Sequence, residues 1–200
     1  AVSYCTIQDY AVMRLCRLKK PLIHTSDAAS LGCYDLERNR FNYAYDADIT
    51  GDYRIAGEYN GIPVSVAVGD NQASVFSTLA DENDVLINIG TGSQVSLISD
   101  KPADSAEVET RPYFENKYLI VGAALCGGRA YSLLKSFYAE TFGYLKKIDD
   151  DEIYKIMNDM LKSAEKSSFR VDTRFAGTRL NSEITGGIFG ITTEISLHLH

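Results

Sequence analysis

VAVGDNQASV, residues 66–75, is an apolar run that breaks at Gly-Asp and resumes as a stretch suited to a helix. The break sets one carboxylate, Asp70, where a strand ends and a helix begins. Two roles fit that position. Open α/β sheets bind ligands beyond the carboxyl ends of their strands, and a helix N-terminus favours negative charge, so Asp70 is placed to meet a substrate. It is also placed to be the N-cap of the following helix, worth about 1 kcal/mol and nothing else.

Upstream, AGEYNGIPVSVAVGD (residues 56–70) predicts a tight turn at Asn60-Gly61 and a strand starting at Pro63. The short, apolar VSVAV run predicts burial on both faces. Before it, TSDAAS (residues 25–30) reads as loop, CYDL as strand and residues 37–39 as a turn. Residues 6–18 place Ile7, Tyr10, Met13, Leu15, Cys16 and Leu18 near helical spacing behind a Thr6 N-cap, with charge on the other side and an end at Pro21.

Downstream, NQASVFSTLA reads as a short helix that stops at DEND, residues 81–84, the best boundary that composition offers. DVLINIGTGSQVSLISD then predicts two strands joined by GTGS. YLIVGAALCGG predicts a strand and glycine turn that lead into a helix over 128–142, and DDDEIYKIMNDMLKSAEKS a second helix with an acidic first turn. The remainder is turn-rich with short strands. Its ISLHLH ending carries two of the three histidines and reads as a frayed tail, with metal binding as the alternative.

A net charge of −7 and no basic cluster beyond the pairs Lys19-Lys20 and Lys146-Lys147 give no surface for a polyphosphate backbone, so nucleic acid is not an expected partner. No apolar run approaches the roughly 20 residues of a membrane span, and no membrane association is expected. Cys5, Cys16, Cys33 and Cys126 lack metal-ligand or disulfide spacing and read as buried thiols in a reducing compartment, the cytoplasm.

Four further groups could carry chemistry. GTGS (residues 90–93) offers backbone N–H groups and the Thr91 hydroxyl to an anion, or is an ordinary hairpin. In VGAALCGGRAY (residues 121–131), Gly122, Gly127 and Gly128 let a flat ligand or another backbone approach. TSDAAS could line a polyol pocket or satisfy its own backbone. Arg174 and Arg179 in RFAGTR could meet phosphate or form solvated ion pairs.

The order of these motifs is more specific than any one of them. TIQDYAVMRL, HTSDAAS, VAVGDNQAS, NIGTGSQVS, GAALCGG, FAGTR and GGIFGITTE follow one another as in the FGGY carbohydrate kinases of the actin-like ATPase superfamily, which the sequence resembles from Thr6 to about Glu194. GDNQ, GTGSQ and GAALCGG look most like the sedoheptulokinase branch. The resemblance implies an α/β fold with parts of two ribonuclease-H-like domains. Residues 1–80 would end the first, sugar-binding domain and 81–200 begin the second, nucleotide-binding one.

It also implies roles. Asp70 would be the general base toward a sugar hydroxyl and Asn71 a neighbouring sugar contact, with residues 25–29 near the sugar pocket. Gly90, Thr91 and Gly92 would form the second phosphate loop. Gly122 would lie against the nucleotide, with Cys126 where relatives often place an amide side chain. The reaction would move the γ-phosphate of ATP, with Mg²⁺, to a ketose such as sedoheptulose or xylulose. The family's opening Asp-x-Gly-Thr hairpin and its later adenine-binding turn are not in this sequence, so the expectation is an internal fragment without turnover on its own. A cut through a domain would expose apolar surface and favour a homodimer. A sugar- or nucleotide-binding sensor without phosphotransfer is the alternative.

Overall fold

The computed structural model describes residues 4–38, 40–144, 149–163 and 170–191. Packing divides the chain into two compact units. One runs to Ile87 and takes in Val95–Gly122; the other comprises Asn88–Gln94 and the chain from Ala123 onward.

The first unit opens with α1 (Ile7–Leu15), started by a capping box in which the Thr6 side chain accepts the Asp9 N–H and the Asp9 carboxylate accepts the Thr6 N–H. The apolar residues of α1 are not its buried face: Ile7 is 79% exposed, whereas Asp9 is fully buried. β1 (Leu22–His24) is buried throughout and runs directly into α2 (Thr25–Ser30). The TSDAAS segment is therefore a helix, not the loop its hydroxyl residues suggest. His24 is its N-cap, accepting the Ser26 N–H, and Thr25 through Ala28 are buried.

β2 (Tyr34–Asp35) and β3 (Arg40–Phe41) pair antiparallel; Asn39, in the expected turn between them, lies outside the described residues. β4 (Asp48–Thr50) runs parallel to β1 with Ile49 opposite Ile23. β5 (Ile55–Tyr59) and β6 (Ile62–Ser65) form a hairpin whose Asn60 and Gly61 have φ of 52° and 81°, the left-handed pair of a type I′ turn. The strand expected from Pro63 through VSVAV departs from expectation. β6 begins at Ile62, stops at Ser65, pairs with β5 and is half-exposed, and residues 66–69 form an extended link to α3 (Asp70–Thr78). Short apolar runs of this kind do not reveal how many strands flank them.

β7 (Val85–Ile89), β8 (Ser93–Ser99), β9 (Glu109–Pro112) and β10 (Tyr118–Ala124) form a sheet in the order β7-β8-β10-β9, and β9 is antiparallel to β10. Val75 of α3 packs with Tyr113, Phe114, Leu119 and Val121 in one core, while Ile23, Ala28 and Phe41 form another.

In the second unit α4 (Gly128–Gly143) packs on α5 (Asp150–Ser163), where Tyr131 stacks on Tyr154 and its hydroxyl donates to Asn158 at 2.8 Å. Asp150, Asp151 and Glu152 place negative charge at the N-terminus of α5, as expected. β11 (Arg170–Asp172) pairs antiparallel with β12 (Gly187–Phe189). Residues 164–167 at the end expected for the second helix and the ISLHLH tail fall outside the described residues.

Of the four cysteines, Cys126 is buried, Cys5 and Cys16 are half-buried and Cys33 is exposed, so uniform thiol burial does not hold. No described helix is long and apolar enough to cross a membrane.

Candidate active site

The GDNQ turn shows what each of its letters does. Gln72 is buried and donates through Nε2 to the Pro112 carbonyl at 2.9 Å. Its Oε1 lies so close to residue 69 that a Cβ there would sit 2.6 Å away, so Gly69 leaves room for the glutamine. The Gly69 N–H donates to Ser26 Oγ at 2.9 Å. Gly69, not Asp70, is the N-cap of α3, and no side chain caps that end. Asp70 is the first residue of the helix, exposed, with Oδ1 accepting the Asn71 N–H at 2.7 Å. The N-cap role is thus ruled out, and the carboxylate is left facing solvent at the favourable end of the helix.

Asp70 lines a cavity of about 890 Å³ within the first unit, together with Gln8, Ser26, Asp27, Glu109 and Arg111. Arg111 and Glu109 form an ion pair at 2.5 Å on one wall. A smaller hollow of about 170 Å³ beside Phe76 and Tyr113 contains none of the residues singled out from the sequence. The larger cavity is therefore the candidate site. Half-buried Asn71 follows Asp70 on α3.

Three ionisable residues are buried at and beside this cavity: Asp27, within the TSDAAS segment that the sequence offered as a pocket lining, and Asp9 and His24, which pattern reading missed. Asp27 Oδ1 accepts from Gln8 Nε2 at 3.0 Å, and Asp9 Oδ2 accepts from the Thr6 hydroxyl at 2.6 Å. Burial, reinforced by the Asp9 charge, pushes the Asp27 carboxyl up to about 7. Burial raises Asp9 too, against the lowering effect of its Thr6 hydrogen bonds. Burial likewise holds His24 below its ordinary value, and its Nδ1 lies 2.8 Å from Ser26 Oγ. The Thr6-x-x-Asp9 spacing was the one signal that could have exposed Asp9 as structural.

The second unit builds its turn from backbone. The Gly127 and Arg129 N–H groups donate to the Thr91 carbonyl at 2.9 and 3.2 Å, and Gly128 N–H donates to the Gly90 carbonyl at 2.7 Å. Gly90 N–H is itself taken by the Gly92 carbonyl, and Ser93 Oγ donates to the Cys126 carbonyl. Gly90, Thr91, Gly92 and Cys126 are thus brought together. A Cβ on Gly127 would lie 2.3 Å from the Gly92 oxygen, so the second glycine turn exists to let the first approach. The leading N–H groups of α4 are occupied by GTG carbonyls. An anion at this turn would have to use the exposed Thr91 and the N–H groups that follow. Gly122 lies in β10, in the first unit, where a Cβ would make ordinary contact with Val108. Arg174 is paired to Asp172, whose carboxyl it holds down at about 2, in keeping with the ion-pair reading. Among the described residues no group of three or more His, Cys, Asp or Glu could hold a metal ion.

No family model matches the chain. Mouse sedoheptulokinase is 30% identical over 178 aligned residues, covering 76% of this chain and 37% of that protein. The chain therefore spans little more than a third of the relative it matches. Xylulose kinase from Rhodospirillum rubrum superposes with a TM-score of 0.75 at 15% identity, over 97% of this chain and 43% of its own. A Plasmodium falciparum glycerol kinase structure with ADP gives 0.67 at 17% identity, over 94% and 41%. These likenesses carry the fold: a mixed α/β chain of the actin-like ATPase type, matched over part of each kinase.

Proposed function

The chain is a sedoheptulokinase homologue of the FGGY carbohydrate kinase family, and from that premise we propose that it carries the acceptor base and the second phosphate loop of an ATP-dependent sugar kinase. The observation that carries this reading is the GDNQ turn. Its glycine and glutamine are consumed by packing, whereas Asp70 is spent on no fold contact beyond its own helix turn and lines a cavity roomy enough for a ketose.

A sugar hydroxyl is too weak an acid for a carboxylate to ionise outright. Asp70 would hold the hydroxyl in line with the γ-phosphorus and take its proton as the new O–P bond forms and the bond to the leaving ADP breaks. Asn71 would contact the sugar beside it. Thr91 and Gly92 would hold phosphate oxygens, with Gly90 setting the turn and Gly122 and Cys126 lining the nucleotide's side. MgATP would supply the transferable phosphoryl group and neutralise its charge. Residues 1–80, joined by Glu109 and Arg111 on the cavity wall, would then serve the sugar, and the GTG turn with the chain from Ala123 the nucleotide.

The test is ketose-dependent ADP release, with sedoheptulose and xylulose, by the polypeptide the gene encodes. Asp70→Asn should lower kcat about 10²- to 10⁴-fold with KM little changed, the usual contribution of a general base. Saturable ketose binding without ADP release from the unsubstituted protein would instead favour the sensor reading.

A further inference from the structure

We propose that Asp9 and Asp27 hold one proton between them, and that this bridge from α1 to α2 positions the Gly69-Asp70 turn. The geometry starts from unmet demands. Asp9 Oδ1 and Asp27 Oδ2 are buried and receive no N–H or O–H from any described residue, while the other oxygen of each carboxyl is occupied by Thr6 or Gln8. The two carboxyls are near enough for each to act directly on the other. Two facing carboxylates would leave both oxygens unsatisfied and repelling; one proton satisfies both at once.

The bridge leads directly to the turn. Asp27 follows Ser26 on α2, Ser26 Oγ accepts the Gly69 N–H, and Asp70 is the next residue. Ser26 Oγ is in turn fixed by His24 Nδ1 at 2.8 Å. Asp27 is thus a positioning residue. Its protonation is set first by burial, then by the charge of Asp9 from α1, the Gln8 hydrogen bond and the charge of Asp70 from α3; the mutually paired Glu109 and Arg111 of β9 line the same cavity. From the other elements packed on α2, His24 is held neutral by burial and Tyr34 likewise, while Asp48 is paired to Lys20. No described cation pairs with the bridge itself.

The shared proton stands independently of the kinase reading; only its consequence for Asp70 as a base rests on it. Because the fold holds the proton more tightly than the unfolded chain does, the bridge stabilises fully below the ordinary carboxylate range and is lost as pH rises through about 7. Stability should therefore fall between pH 5 and pH 8, and the protection factor of the Gly69 amide, its exchange corrected for the base-catalysed intrinsic rate at each pH, should fall over the same interval. Asp27→Asn, whose amide donates without titrating, should flatten both profiles and keep Gly69 protected. A purely packing role would leave the Gly69 protection factor independent of pH. Carboxyl ¹³C NMR on the unsubstituted chain tests the bridge even if the variant does not fold: one of the two carboxyls should titrate near neutrality. Two carboxyls that both titrate below pH 5, or an Asp27→Asn profile that follows the original, overturn the proposal. Neither result bears on ADP release, so the kinase reading is tested separately.

Discussion

Two glycines do opposite jobs in the two units. At Gly69 the space is claimed by a side chain, the Gln72 amide; at Gly127 it is claimed by a backbone carbonyl, that of Gly92. A side chain can rotate away at the cost of its hydrogen bonds, but a backbone oxygen inside a turn cannot move without moving the turn. The first unit therefore holds its turn with a replaceable set of side chains: Gln72, Ser26, His24, Asp27. The second holds its turn with the chain itself, and tolerates no Cβ where its two loops meet.

The largest effect tests the backbone half of that contrast. Gly127→Ala places a methyl 2.3 Å from the Gly92 oxygen and 2.8 Å from that of Gly90. The Gly127 and Gly128 N–H bonds to the GTG carbonyls would be lost together. Denaturation followed by circular dichroism should report a loss of more than about 3 kcal/mol, beyond the usual range for overpacking because backbone is displaced. A loss under about 1 kcal/mol would mean that the interlock is not rigid, and the contrast would fail.

Gly69→Ala probes the other half. The Gln72 amide, 2.6 Å from the new methyl, should swing away and abandon the buried Pro112 carbonyl, costing about 1–3 kcal/mol. The same change in a Gln72→Ala background should cost almost nothing, because φ at residue 69 is −58° and alanine fits there. The double-mutant cycle should thus return a coupling of about 1–3 kcal/mol. Additive effects would show that something other than the glutamine claims the space.

The same contrast explains what the sequence could disclose. The order of strands, glycine turns and helices downstream of residue 81 was legible, since apolar strand runs and GTG and GG punctuation are local signals. The hairpin at Asn60-Gly61 was legible for the same reason. TSDAAS was misread because short hydroxyl residues favour loops in isolation, and only burial against β1 and β9 makes them helical. The apolar stripe of α1 misled in the opposite direction: Ile7 and Tyr10 are exposed, and the inward group is a carboxylate. No periodicity marks a buried Asp as apolar, because its burial is bought by a partner 18 positions away. Asp70 was visible as a candidate, but its freedom from capping depended on Gly69 and Gln72 filling the structural roles.

The smallest expected effect sharpens the side-chain half. Thr6→Ala removes the hydroxyl that caps α1 and that donates to Asp9 at 2.6 Å. As a cap alone it should cost about 1 kcal/mol. The Thr6 hydroxyl also lowers the Asp9 carboxyl, so its loss should make the Asp9–Asp27 pair hold its proton to higher pH. The stability profile should then drop by a small, constant amount at acid pH while its midpoint near 7 moves upward. A cap that acted on α1 alone would lower the whole curve without moving that midpoint. The direction of the midpoint, rather than the size of the loss, thus tells whether the side chains of the first unit act as one connected set from Thr6 to Asp70.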